Sequence, residues 1–218
     1  MLIVVVSDLH GDLSQAQRAC ELYQPHMLLS CGDWGDPDQV SEPDLTELLA
    51  RVPVYTTFGN HDPLELLRRL RNSDGTPALL GADEVTAVGG LRLAAIGGIW
   101  AMSHAKPHYV TNADVAESAA RIAMAGPVDI LLTHACPVGL ADLTVSGRHG
   151  GQRCFLDAFN TIRPRMHLCG HLHVAQERIL NDGRKVINVG ATPDRSIVLV
   201  EFEAPAQRLE ARLERMPA

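Results

Sequence analysis

Among the metal-capable side chains of this sequence, seven are candidate ligands: Asp8, His10, Asp33, Asn60, His134, His171 and His173. Each sits just after a short apolar run. His171 and His173 stand at i and i+2, and on an extended backbone residues two apart point to the same side, so both rings can reach one spot. Seven oxygen and imidazole donors exceed what one small cation needs and suit two, because a carboxylate has two oxygens and can bridge a pair of ions. Two divalent ions roughly 3.5–4 Å apart form a clamp for in-line phosphoryl displacement. A donor set of nitrogen and oxygen without thiolate suits manganese, iron or zinc better than calcium or magnesium, and manganese is the expected metal. Two such ions bring four positive charges, of which Asp8, Asp33 and a bridging hydroxide cancel three. About one positive charge remains, which matches a phosphodiester.

Those donors need elements to carry them. Residues 2–6 form a β-branched run of the kind buried on both faces of a sheet. A helix is expected over 14–23 with Ser14 as a possible N-cap, then a strand at 26–30, a helix near 44–51 and a strand at 54–58. Asp62-Pro63 reads as the cap and first turn of a further helix to about Arg71. Strand and helix in strict alternation imply a parallel sheet with crossover helices. The middle differs: 84–96 reads as a hairpin around Gly89-Gly90, 112–125 as an Ala-rich helix and 128–133 as a buried strand. Residues 100–111 and 140–151 have no clear period. A helix at 152–162 leads to the strand 166–169, a hairpin at 176–189 and a last strand at 196–202. Leu209, Leu213 and Met216 share one face if the tail is helical, giving a packing helix. Each donor then lies at the carboxyl end of a strand, where open α/β sheets build their sites. The whole chain, 1–218, is expected to form one domain of two packed sheets with helices outside.

Composition bounds the partners. The chain carries 19 basic and 26 acidic residues, a net charge of −7. That balance leaves no electrostatic footprint for tracking a nucleic-acid backbone, so a nuclease is disfavoured although a nucleic-acid partner stays open. A small phosphorylated substrate is compatible, because bound cations reverse the local field. No secretion signal or membrane span is visible, and the five cysteines, odd in number, form no Cys-x-x-Cys pair. A reducing cytoplasm is the expected location. Oligomeric state is open.

Taken in order, the blocks Asp8-Leu9-His10-Gly11, Gly32-Asp33-Trp34-Gly35-Asp36, Gly59-Asn60-His61-Asp62, Thr133-His134 and Gly170-His171-Leu172-His173 resemble those of the calcineurin-like metallophosphoesterases. The resemblance implies an α-β-β-α sandwich, a four-layer α/β fold with mixed sheets, and a dinuclear centre. It assigns Asp8, His10, Asp33 and His173 to one metal and Asp33, Asn60, His134 and His171 to the other, with Asp33 shared. It leaves His61 unliganded near the leaving group, as proton donor or charge stabiliser, with Asp36 orienting it. The expected reaction is attack of a metal-bridging hydroxide on a phosphodiester. The segment from Thr133-His134 through Gly147-Arg148-His149-Gly150 is closer to small single-domain phosphodiesterases than to protein phosphatases. Alternatives within the same resemblance are a phosphomonoesterase, a nuclease, or a non-catalytic scaffold like the retromer subunit that shares the fold but lacks key histidines.

Other residues carry weaker readings. Arg148 and His149 are candidate substrate contacts in an irregular stretch, as are His104 and His108. For any one of these, a solvated loop residue is the commoner outcome. Asp62 reads as a helix cap only. Cys31, Cys136 and Cys169 each sit two residues from a proposed ligand and read as small buried packing groups.

Overall fold

A computed structural model describes residues 1–217. The chain runs β1 (Leu2–Val6), α1 (Ser14–Tyr23), β2 (Met27–Ser30), α2 (Glu42–Arg51), β3 (Val54–Thr56) and α3 (Leu64–Arg69). Next come β4 (Val85–Val88), β5 (Leu91–Ile96), β6 (Ile99–Trp100), β7 (Tyr109–Val110), α4 (Asn112–Ala125), β8 (Ile130–Thr133) and α5 (Arg153–Ile162). The last third holds β9 (Met166–Cys169), β10 (Gln176–Ile179), β11 (Lys185–Asn188), β12 (Ser196–Glu203) and β13 (Arg208–Arg215).

Two mixed sheets result. One has the order β13-β12-β1-β2-β3, the other β10-β11-β9-β8-β5-β4, and β6 and β7 pair separately. The strands β1, β2 and β3 are parallel, as are β5, β8, β9 and β11. Period-two alternation divides β1 between two cores. Ile3 and Val5 join Leu29, Leu93, Leu132, Leu168 and Val198 in the cluster shared by both sheets. Val4 and Val6 face the other way, onto Ala16, Ala19, Leu45 and Leu48 of α1 and α2. On the far side, Val115, Ile122 and Phe155 of α4 and α5 pack on Leu131 and Ala94. Helices therefore cover the outer face of each sheet, and the α/β fold matches the expectation. Each fully buried aliphatic or aromatic side chain here contributes about 1.5–3 kcal/mol.

Local chemistry explains the element ends. Ser41 and Asp44 form a reciprocal capping box, so α2 begins earlier than the sequence pattern suggests. The expected cap Ser14 is already inside α1, and Asp12 Oδ1 accepts its backbone N–H at 3.0 Å. The tail is not a helix. Residues 208–215 form β13, paired antiparallel with β12 along its full length. Leu209 and Leu213 face the inter-sheet core together with Ala211, a period-two pattern that the spacing of the leucines also fits. Among the described residues no helix is long and apolar enough to cross a membrane.

Candidate metal centre

Turns at the carboxyl ends of β1, β2, β3, β8 and β9 converge. Asp8, His10, Asp33, His171 and His173 all have positive φ, between 47° and 70°. Left-handed backbone is uncommon for residues with a Cβ, and clusters of it mark sites whose geometry the surroundings enforce. The glycines of the motifs serve close approach. A Cβ on Gly59 would lie 2.1 Å from Asp33 Oδ1, and one on Gly170 would lie 1.9 Å from Ser7 Oγ and 2.5 Å from Asp8 Oδ2.

The carboxylates are buried and held. Asp8 accepts from Ser7 Oγ at 2.6 Å and from the His171 backbone N–H at 3.0 Å to each oxygen. Asp33 Oδ1 accepts the His61 N–H at 2.8 Å. Burial works against the ionised form of both, but imidazole neighbours outweigh it. The bond with His173 and the charge of His134 hold the Asp8 carboxyl below its usual range. His134 does the same for Asp33.

The imidazoles close the ring of donors. His173 Nε2 lies 3.3 Å from Asp8 Oδ1 and 3.2 Å from His10 Nε2. His10 Nε2 is 3.9 Å from Asp33 Oδ2, and His134 Nε2 is 3.3 Å from the same oxygen. His134 and His171 stack edge to face with centroids 5.1 Å apart. The Cys31 carbonyl accepts from His134 Nδ1 at 2.9 Å, which leaves Nε2 as the nitrogen facing the donor cluster. Burial lowers the basicity of His134, yet Asp33 and Asp8 beside it hold its pKa up at about 9. Burial, helped by the His134 charge, pulls His171 down to about 4.

Asp8, His10, Asp33, His134, His171 and His173 thus lie against one another, and Asn60 precedes His61, whose backbone N–H bonds Asp33. Among the described residues, two sets come close enough to share an ion: Asp8 with His10 and His173, and Asp8 with Asp33 and His134. Asn60 Oδ1 and His134 Nε2 are buried without a hydrogen-bond partner. Such atoms are costly unless something else binds them. The residues therefore fit divalent cations. His61 stands beside this group, its ring centroid 5.2 Å from that of His10, and its Nδ1 faces Asp36 at 3.1 Å.

The family profile of the calcineurin-like phosphoesterases matches residues 1–175. The chain belongs to the calcineurin-like phosphoesterase family. Members of this family bind a pair of divalent metals, and the donor cluster fits that pattern. Among curated proteins no sequence relative matches. Solved structures share the fold. TT1561 of Thermus thermophilus superposes with a TM-score of 0.71 at 15% identity over 97% of each chain. A 5'-nucleotidase from Candida albicans gives 0.57 at 13% identity, over 97% of this chain and 51% of that one. Vps29 from Entamoeba histolytica, solved with zinc, gives 0.50 at 13% identity over 98% of each.

Three residues of this calcineurin-like phosphoesterase depart from their sequence readings. Asp62 is not a helix cap. Its side chain is buried and accepts three backbone N–H groups, from Asp33 at 2.8 Å, Trp34 at 2.7 Å and Gly59 at 2.6 Å. It clamps the Asp33 turn to the Asn60 turn. His104 pairs with Asp114 at the start of α4. His108 donates to the Asp62 carbonyl at 2.7 Å, so it buttresses the His61 turn. Arg148 and His149 lie on an exposed turn beside the His171–His173 segment. Cys31, Cys136 and Cys169 are buried thiols, consistent with packing. Asp142, which the sequence reading passed over, is a further buried carboxylate in the 141–151 loop.

Proposed function

We propose that this phosphoesterase hydrolyses phosphodiester bonds of a small or nucleotide-like substrate with two divalent ions, manganese the favoured metal, in the cytoplasm. The observation that carries the reading is His61, an imidazole outside the donor sets, beside His10 and oriented by a carboxylate. Asp8, His10, Asp33 and His173 would hold one ion, and Asp33, Asn60, His134 and His171 the other. When bound, the pair supplies Lewis acidity toward phosphoryl oxygens and a water of lowered pKa. The chain's own residues do the rest. Asp36 takes the Nδ1 side of His61, which leaves Nε2 as the nitrogen that hands a proton to the leaving oxygen. Asp62 and His108 keep the turn carrying His61 in place. The net charge of −7 favours a small substrate over a polynucleotide.

The test is turnover of bis(4-nitrophenyl) phosphate against 4-nitrophenyl phosphate by the manganese-reconstituted protein. The diester reading expects the higher kcat/KM on the diester. A large preference for the monoester replaces it with a phosphatase. No hydrolysis together with no bound metal leaves a scaffold of the same fold.

A further inference from the structure

We infer that Asp142 and His149 form a second oriented imidazole, one that binds anionic oxygen of the substrate beside the metal centre. The inference rests on the phosphoesterase reading and adds a binding residue and its positioning partner to it.

Asp142 is 1% exposed, yet it is a carboxylate. Burying a charge is costly unless it is paired and hydrogen-bonded. Its two oxygens are spent on one loop: Oδ1 faces His149 Nδ1 at 2.7 Å, and Oδ2 accepts the Gly151 N–H at 3.1 Å. The His149 side chain is 60% exposed. A buried carboxylate therefore fixes one face of a ring whose other face is open. With Nδ1 taken, the presented nitrogen is Nε2, which in the imidazolium form donates to an anion. His61 also turns its Nδ1 to a carboxylate, that of Asp36, but there the carboxylate is itself exposed.

The loop is also fixed in place. Leu143 and His149 bridge across it, and the Gln176 amide grips Leu143, accepting its N–H at 3.0 Å and donating to its carbonyl at 2.8 Å. Gly150 lies so close to Leu172 that a Cβ there would meet Leu172 Cδ2 at 2.8 Å. Leu172 separates His171 from His173. The loop carrying His149 is thus stapled to the segment that supplies two of the candidate metal ligands. Packing of the loop alone would not need an imidazole pointing into solvent, because the Gly150 and Gly151 backbone bonds to Asp142 already close it. Asp142 is the positioning residue and His149 the binding one.

The test uses the full manganese-loaded chain and two probes, inorganic phosphate by calorimetry and bis(4-nitrophenyl) phosphate by turnover. His149→Gln is expected to raise the phosphate Kd and the diester KM by about tenfold, about 1.4 kcal/mol, with kcat within about twofold. Metal content and thermal midpoint stay at wild-type values. Asp142→Asn should raise both constants similarly, and the double variant should be no worse than His149→Gln, since Asp142 acts through His149. Unchanged Kd and KM in His149→Gln overturn the inference, whether or not Asp142→Asn folds. If wild type binds phosphate through His149 but hydrolyses neither ester, the phosphoesterase reading falls and this one stands. If wild type hydrolyses the diester and His149→Gln does so with the same KM, only this one falls. Absence of both binding and turnover overturns both.

Discussion

His61 turns its Nδ1 to both carboxylate oxygens of Asp36, at 3.1 and 3.2 Å, while its backbone N–H is held by Asp33 at 2.8 Å. One residue is therefore tied by its main chain to a candidate metal ligand and by its ring to a carboxylate outside the donor cluster. Removing a ligand weakens the hold on its metal, whereas removing a proton donor does not. His61→Ala should lower kcat by about 10²–10⁴-fold while metal content stays at the wild-type level. Asp36→Asn should give a smaller fall. Loss of metal from His61→Ala, read by elemental analysis, would show that His61 is a ligand instead.

Asp62 carries three backbone donors on two oxygens. Removing it strands those N–H groups in a buried site, and each unsatisfied donor costs about 1–3 kcal/mol. Asp62→Ala should therefore destabilise the protein by about 3 kcal/mol or more in urea denaturation and loosen metal binding through the Asp33 and Asn60 turns. A change below about 1 kcal/mol would mean the clamp is filled by water at little cost.

His167 offers a pH test away from the metals. It is fully buried, and burial alone depresses its pKa to about 3. Thr133 Oγ1 donates to the Ala135 carbonyl, so it accepts from His167 Nε2 at 2.7 Å. The ring also stacks on Phe159. The folded pKa lies below the unfolded value of about 6.5, so unfolding takes up a proton in acid. The stabilisation is complete above about pH 6.5 and is lost as pH falls toward about 3, by about 1.4 kcal/mol per pH unit. Between pH 7.5 and 5.0 wild type should lose about 2 kcal/mol through this group, and His167→Gln should lack that part of the slope. Equal slopes in the two proteins would contradict it.

Gly170 and Gly59 make a steric prediction. A Cβ at either would press on Asp8 or on Asp33 and the His134 ring. Gly170→Ala and Gly59→Ala should each weaken metal binding by at least tenfold in titrations followed by calorimetry. Wild-type affinity in both would mean that the donors shift without consequence.

Much of this was legible in the sequence because the donors sit in short blocks that each close an apolar strand. Asp8 after residues 2–6 and His134 after residues 130–133 announce both the strand and the residue at its end. The positive φ of Asp8, Asp33 and His173 was not legible, since Asp and His adopt that backbone only where neighbours enforce it. Asp62 before Pro63 has the local chemistry of a cap, and only the fold shows that three N–H groups from two turns reach it first. Leu209 and Leu213 satisfy helical and strand spacing alike, and pairing with β12 decides for the strand. Asp142 stands seven residues from His149, a distance that carries no periodic signal; the loop's closure brings them together.

Donors from five strand ends are expected to hold a pair of ions. Elemental analysis of the manganese-reconstituted protein tests this most directly, with Asn60→Ala measured alongside. Wild type should hold about two ions per chain and Asn60→Ala about one, because the lost Oδ1, buried without a hydrogen-bond partner, would serve a single ion. Wild-type protein that retains no manganese after reconstitution would contradict it.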